Sequence, residues 1–329
     1  MSMPQPARPP DSYGGLSASR PHGTPSLRFR AALLAPRFWG LWFGVGLLWT
    51  LSFAPNALRR ALARGVAWLY PRLNRKRPRI ARINLALCFP ELGAPDRERL
   101  LARHLYMQAY AILDLGRLWF RSREHLLARL DIEGLAHVDA AAQSGKGVIL
   151  LTGHSVALEM SAIYMSLRWE GSGMYKPFDN PLLEWLMVRS RTRFSSVLYG
   201  REEGLRPHLR ILRAGGGFYY LPDEDLGREN AAFARFFGVE KATVALLGRL
   251  ARLGNAWALP HLCTLDPQSG RYRLKVLPPM TSFEEDEGIN AQRANDALES
   301  LIREAPDQYL WTFRLFRTPR IEGDRSPYD

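Results

Sequence analysis

The plainest chemistry in this chain lies in seven consecutive residues, Gly153-His154-Ser155-Val156-Ala157-Leu158-Glu159, which follow the apolar run GVILLT at 147–152. That run, behind Ser144-Gly145-Lys146, reads as a short buried strand. A histidine at its exit stands where open α/β sheets bind ligands. Glu159 lies five residues on, about 140° around a regular helix, so the two side chains share no face if both are helical. They meet only if His154 sits in the turn and Glu159 in the first helical turns. The carboxylate then takes one imidazole N–H and fixes the tautomer, which frees the other nitrogen to remove a proton from an alcohol. A His–carboxylate pair of this kind suits direct acyl transfer to a substrate hydroxyl. Ser155 is adjacent, but no Gly-x-Ser-x-Gly surrounds it, and a hydrolase elbow is not supported.

Spacing alone is weak evidence. With 7 histidines and 32 acids in 329 positions, roughly 0.7 His-x4-Asp/Glu matches are expected by chance. A second match does occur, His261 to Asp266. There the histidine falls inside an expected strand and the aspartate in a turn, so this pair is assigned to structure.

The elements that must position His154 are those of a mixed α/β domain, expected over 95–329. Pro95 and Asp96 open a helix through Phe120, with Leu100, Leu101, Leu105, Tyr106, Ala109 and Leu113 at helical spacing. Further strands are expected at 218–221, 256–265 and 271–277, the last two joined by the turn Asp266-Pro267-Gln268-Ser269-Gly270. Helices are expected over 156–169, 181–192, 202–214, 242–253 and 289–304. This alternation predicts a central sheet covered by helices. Glycines 215–217 read as a helix stop, because no Gly-Lys-Ser/Thr follows them to make a phosphate loop.

The N-terminal third has a different composition. Residues 1–30 are rich in Pro, Ser, Gly and Arg and read as a disordered basic tail. Within 31–58, the 21 residues from Phe38 to Leu58 carry no formal charge, close to the ~20 needed to cross a bilayer core. With Trp39, Trp42 and Trp49 and basic flanks, this stretch is expected to be a single membrane anchor. Segment 59–94 interleaves Arg59, Arg60, Arg64 and Arg72 with Val66, Trp68, Leu69 and Tyr70, as a helix lying on an anionic leaflet would. The same positive cluster places the C-terminal body on the cytoplasmic side.

Composition narrows the partners. The formal net charge is +13, which asks for an acidic partner: nucleic acid, an anionic membrane or an acidic carrier protein. Nucleic acid is disfavoured because the tryptophans concentrate in the apolar stretch and beside the expected helices, not interleaved with arginine on a recognition surface. Cys88 and Cys263 form no Cys-x-x-Cys pair, which excludes a disulfide framework and a multi-cysteine zinc site.

The motif after the strand resembles the lysophospholipid-acyltransferase-like superfamily. The stretches RINLALCFPEL (82–92), GVILLTGHSVALEM (147–160), MYKPFDNPLLEWL (174–186), YYLPDEDLG (219–227) and APDQYLWTFRLFRTPR (305–320) narrow the resemblance to the late, lauroyl- or myristoyl-type acyltransferases of lipid A biosynthesis. The resemblance implies an acyltransferase-like fold behind one N-terminal anchor in the bacterial inner membrane. It also implies transfer of an acyl chain from acyl carrier protein to a hydroxyl of a lipid A precursor, with no other cofactor and no metal. His154 would be the general base and Glu159 its orienting partner. Lys176, Asn180 and Arg191 would meet substrate, with Lys176 standing where arginine is common. Asp223 and Asp225 match the family's Pro-Asp-x-Asp block, although a plain turn role is equally open to them. The family usually has histidine and a second arginine where this chain has Phe313 and Leu315. That departure leaves another glycolipid, ornithine lipid or lysophospholipid open as acceptor.

Overall fold

A computed structural model describes residues 28–194 and 196–329. Most of the expected basic tail, residues 1–27, lies outside the described residues. A helical N-terminal part leads into the body: α1 (Trp39–Phe53), α2 (Asn56–Leu73), α3 (Lys76–Cys88), α4 (Ala94–Phe120) and α5 (Arg123–Leu127). The body then alternates β1 (Leu130–Glu133), α6 (Leu135–Gln143), β2 (Gly147–Leu151), α7 (Leu158–Ser166), β3 (Gly171–Tyr175), α8 (Pro181–Arg191), β4 (Ser196–Gly200), α9 (Arg206–Arg213) and β5 (Gly217–Tyr220). It closes with β6 (Ala231–Phe236), β7 (Val239–Val244), α10 (Leu247–Gly254), β8 (Ala256–Asp266), β9 (Arg271–Val276) and α11 (Glu287–Glu304).

Seven strands form one mixed sheet in the order β1-β9-β8-β2-β5-β3-β4, and β6 with β7 make a separate antiparallel hairpin. β2 is central and wholly buried, because its two faces feed two different cores. Ile149 and Leu151 pack with Leu85, Phe218, Leu298 and Trp311 on one side. Val148 and Leu150 pack with Tyr110, Met160, Leu259 and Leu274 on the other. A continuous apolar run is the sequence signature of such a two-sided strand. The expected α/β sheet covered by helices is therefore the one observed.

Three expectations need correction. First, the 21-residue uncharged stretch does not make one spanning helix: α1 has 15 residues, about 22 Å at 1.5 Å per residue, against ~30 Å of hydrocarbon. Ala54 is extended ahead of Pro55, which ends the helix as the residue before proline usually does. Among the described residues, no helix is long and apolar enough to cross a membrane. Second, Arg59 does not face outward with its basic neighbours. It is fully buried, with Nη1 donating to Leu51 O at 2.6 Å and Nε 3.5 Å from the Asp114 carboxylate. Third, residues 242–253 are not one helix, because β7 occupies the start and α10 begins only at Leu247.

The N-terminal helices are built onto the body. α1 crosses α4 so closely that a Cβ on Gly116 would sit 2.0 Å from Leu48 O. Beside that crossing, Asp114 is flanked by Arg59 and by Arg117 at 3.2 Å, and Tyr272 of β9 donates to its other oxygen. The outer faces of α1 and α2 stay bare, with Phe43 78% and Trp68 63% exposed. Asp114→Ala should leave two buried guanidinium groups without their carboxylate and cost about 3–5 kcal/mol in denaturant unfolding. A loss no larger than that of an exposed substitution would show that the cluster contributes nothing to the docking of α1 and α2.

Candidate active site

The site grows from one pairing register. β2 and β5 run parallel with Leu151 beside Tyr220, and Thr152 N donates to Tyr220 O at 3.1 Å. The two chains leaving these strands are therefore neighbours, and residue 154 meets residue 223. Asp223 accepts the His154 backbone N–H on Oδ2 at 2.7 Å and His154 Nδ1 on Oδ1 at 2.8 Å. Tyr309, fully buried, donates its hydroxyl to Asp223 Oδ2 at 2.8 Å. The segment after α11 also laces the histidine loop from its other side. Val156 N donates to Gln308 O and Leu310 N donates to His154 O, both at 2.9 Å. Gly153 fits between these walls, since a Cβ there would lie 3.2 Å from the Tyr309 ring and 3.3 Å from Asp223 Oδ2.

A carboxylate only accepts hydrogen bonds, so Nδ1 carries the proton and Nε2 of the neutral ring keeps a free lone pair. Burial is the largest influence on Asp223 and acts against its ionisation. The His154 charge, the hydrogen bonds from His154 and the Lys241 ammonium outweigh it, holding the carboxyl down to about 2. For His154, burial disfavours the imidazolium. Asp223 and Glu224 more than compensate, Arg191 opposes them, and the ring titrates above its ordinary value. The Phe313 ring packs against the imidazole at 5.0 Å between centroids, which limits its rotation.

His154 stands in the wall between two cavities. The larger, about 530 Å³, is bounded by Leu205, Phe218, Leu226, Val244 and Leu250, with Arg201 and Glu224 also in its lining. The smaller, about 160 Å³, is lined by Leu158, Ala162, Met174 and Leu198, with Glu159 and Arg191. Apolar walls meeting a tautomer-fixed histidine can hold an acyl chain beside a base. A third cavity, about 540 Å³ between α1, the end of α4 and α8, reaches none of these residues.

The expected pair of His154 with Glu159 is not what the structure shows. Glu159 does lie in the first turn of α7, but its carboxylate takes Arg191, whose Nη2 and Nε donate to Oε1 at 2.6 and 3.0 Å. The carboxylate on His154 is Asp223, 69 residues away, a distance at which no local pattern could have paired them. Asp225, read together with Asp223, instead ties the loop to the C-terminal tail, accepting from Thr318 N and Oγ1 at 2.7 Å each and from Gly227 N at 3.1 Å. Asn180 caps α8, its side-chain oxygen accepting from Leu182 N at 3.0 Å and Leu183 N at 3.2 Å. Lys176 is exposed just past Tyr175, a lining residue of the smaller cavity. His261 is fully buried inside β8 with Nδ1 3.0 Å from Leu259 O, away from the turn that holds Asp266. Among the described residues, no group of three or more His, Cys, Asp or Glu side chains could hold a metal ion. Tyr309 was not singled out from the sequence. The signal available was its place in the APDQYLWTFRLFRTPR stretch, which carries no local chemistry of its own.

Comparison with known proteins identifies the family. Residues 27–318 match the model of the bacterial lipid A biosynthesis acyltransferase family. A lipid A biosynthesis acyltransferase of Haemophilus influenzae is 34% identical over 298 residues, covering 90% of this chain and 93% of that protein. The lipid A biosynthesis palmitoleoyltransferase of Escherichia coli is 33% identical, covering 92% of this chain and 99% of that protein. The lauroyltransferase of the same organism is 31% identical, over 92% of this chain and 98% of that protein. With an α/β sheet that presents a carboxylate-bound histidine between two apolar cavities, and with these relatives along nearly its whole length, the chain is an acyltransferase and belongs to the bacterial lipid A biosynthesis acyltransferase family.

Proposed function

We propose that this enzyme transfers a fatty acyl chain from acyl carrier protein to a hydroxyl of a lipid A precursor, by direct attack on the thioester with His154 as general base. The observation that carries the reading is the 2.8 Å contact between His154 Nδ1 and Asp223, which leaves Nε2 as the basic nitrogen beside two apolar cavities. The acceptor O–H gives its proton to Nε2 as its oxygen attacks the thioester carbonyl. The tetrahedral intermediate then expels the thiolate, which recovers the proton from the imidazolium. Asp223 takes the orienting role, and the Glu159–Arg191 pair in the smaller cavity supplies polar contacts to the reacting ester. The net charge of +13 suits both an acidic carrier and a phosphorylated acceptor. The bare apolar residues of α1 and α2, with Arg64 and Arg72 exposed beside them, suit a body seated on the cytoplasmic face of the inner membrane through an interfacial helix pair.

His154→Ala should lower the transfer rate about 10²- to 10⁴-fold with the protein still folded. Retention of most of the rate would end the general-base assignment. Because His154 titrates above its ordinary value, kcat/KM should fall on acidification through a limb above that of free imidazole. Asp223→Asn should displace that limb downward, whereas Glu159→Gln should leave it in place. Mass spectrometry of lipid A from cells with and without the gene should show the loss of one secondary acyl chain. An unchanged lipid A would turn the acceptor toward another glycolipid, an ornithine lipid or a lysophospholipid, which the apolar Phe313 and Leu315 would then help to explain.

A further inference from the structure

Lys241 is the only lysine among the buried polar side chains of the described residues, and it has no short hydrogen bond to account for it. Its side chain is fully buried in β7, and its Nζ lies 3.4 Å from Pro222 O and 3.3 Å from Ala242 O. Both contacts are long for an ammonium donor. A buried ammonium is costly unless charge compensates it. Pro222 leads directly into Asp223, and the same loop supplies Asp225, both carboxylates being nearly as buried as the lysine. Glu224 between them is drawn outward to Arg201 at 2.7 Å, and Glu159 is neutralised by Arg191. The buried charges around this loop are thus Asp223, Asp225 and Lys241, with His154 and the neutral Tyr309 hydroxyl against Asp223. With His154 neutral the cluster carries −1, and with His154 protonated it carries zero.

We propose that Lys241 is a positioning residue that acts on the reaction through Asp223, offsetting the second buried carboxylate so that the Asp223–His154 pair does not hold the imidazolium proton too tightly for the ring to serve as a base. The inference rests on the general-base reading of His154. Burial is the main influence on Lys241 and lowers it to about 8, against the pull of Asp223, Asp225 and Glu224. The group is therefore an ammonium at neutral pH. Without it, two uncompensated carboxylates would hold the imidazolium more tightly, and the free base would form only at higher pH.

The test is the pH dependence of kcat/KM for the full chain and its Lys241→Met and Lys241→Arg variants, with His154→Ala in parallel. Loss of the charge should move the acid limb up by about one unit, read as a roughly tenfold lower kcat/KM on the acid side that recovers at high pH. The arginine variant should keep the limb near its original position. A merely structural lysine would lower the plateau or the thermal midpoint without moving the limb, and a stationary limb in Lys241→Met overturns the proposal. If His154→Ala stays active, the base assignment fails and this inference with it. If His154→Ala is inactive while the Lys241→Met limb is stationary, only the role of Lys241 falls. Should neither lysine variant fold, the ¹³Cε1 resonance of His154 in the unaltered protein serves instead. A second inflection as Lys241 loses its proton supports the coupling, and titration in a single step overturns it.

Discussion

A single buried carboxylate holds the site together. Asp223 accepts from the His154 backbone N–H, from the His154 ring and from the Tyr309 hydroxyl, so one group joins the ends of β2 and β5 to the segment that follows α11. An isolated carboxylate in this interior would cost several kcal/mol. It is tolerated because each oxygen has a donor and a cation lies behind the loop. The same three bonds that make its burial possible also orient the His154 ring, so the requirements of stability and of side-chain orientation coincide on one residue.

Two parts of the chain far from His154 maintain that arrangement. The C-terminal segment is held by Asn84 of α3, whose side-chain nitrogen donates to Trp311 O at 2.6 Å and Phe313 O at 2.7 Å. Trp311 is fully buried against Phe89 and Phe237. The N-terminal helices therefore support the candidate site directly. α3 contributes Ile80, Leu85 and Cys88 to one core, and through Asn84 it fixes the strip of chain that carries Tyr309 and Phe313. A helix with a basic outer face and an apolar inner one can thus belong to the enzyme body and still present arginines to an anionic surface.

The apolar N-terminal helices follow a related logic. α1 is apolar all round, yet Pro55 ends it short of a bilayer's thickness, and α4 covers one of its faces through the close contact at Gly116. Val45 of α1 packs against Leu182 and Leu186 of α8, while Phe43 and Trp49 of α1 and Leu62 and Trp68 of α2 stay exposed. Such a surface buries apolar area at the headgroup boundary without requiring a crossing.

The amino-acid sequence by itself determined the class of the fold and the place of His154 at the exit of a buried strand. The apolar run before Gly153, the helical spacing through α4 and the Asp266–Gly270 turn are local signals, and β2, α4 and the β8–β9 hairpin follow them closely. β3, with GSGMY, and β4, with SVLYG, were not legible because glycine and serine dilute the strand pattern in so few residues. The β6–β7 hairpin turns through Phe237 and Gly238 at positive φ, a tight reversal that the apolar residues around it concealed. Only the tertiary structure decided which carboxylate serves His154. Glu159 is near in sequence, but the turn before α7 directs it to Arg191. Asp223 is distant in sequence, but the parallel register of β2 and β5 brings it to the ring. Local spacing records where a side chain leaves the backbone, whereas partnership inside a sheet is set by which strand ends lie side by side.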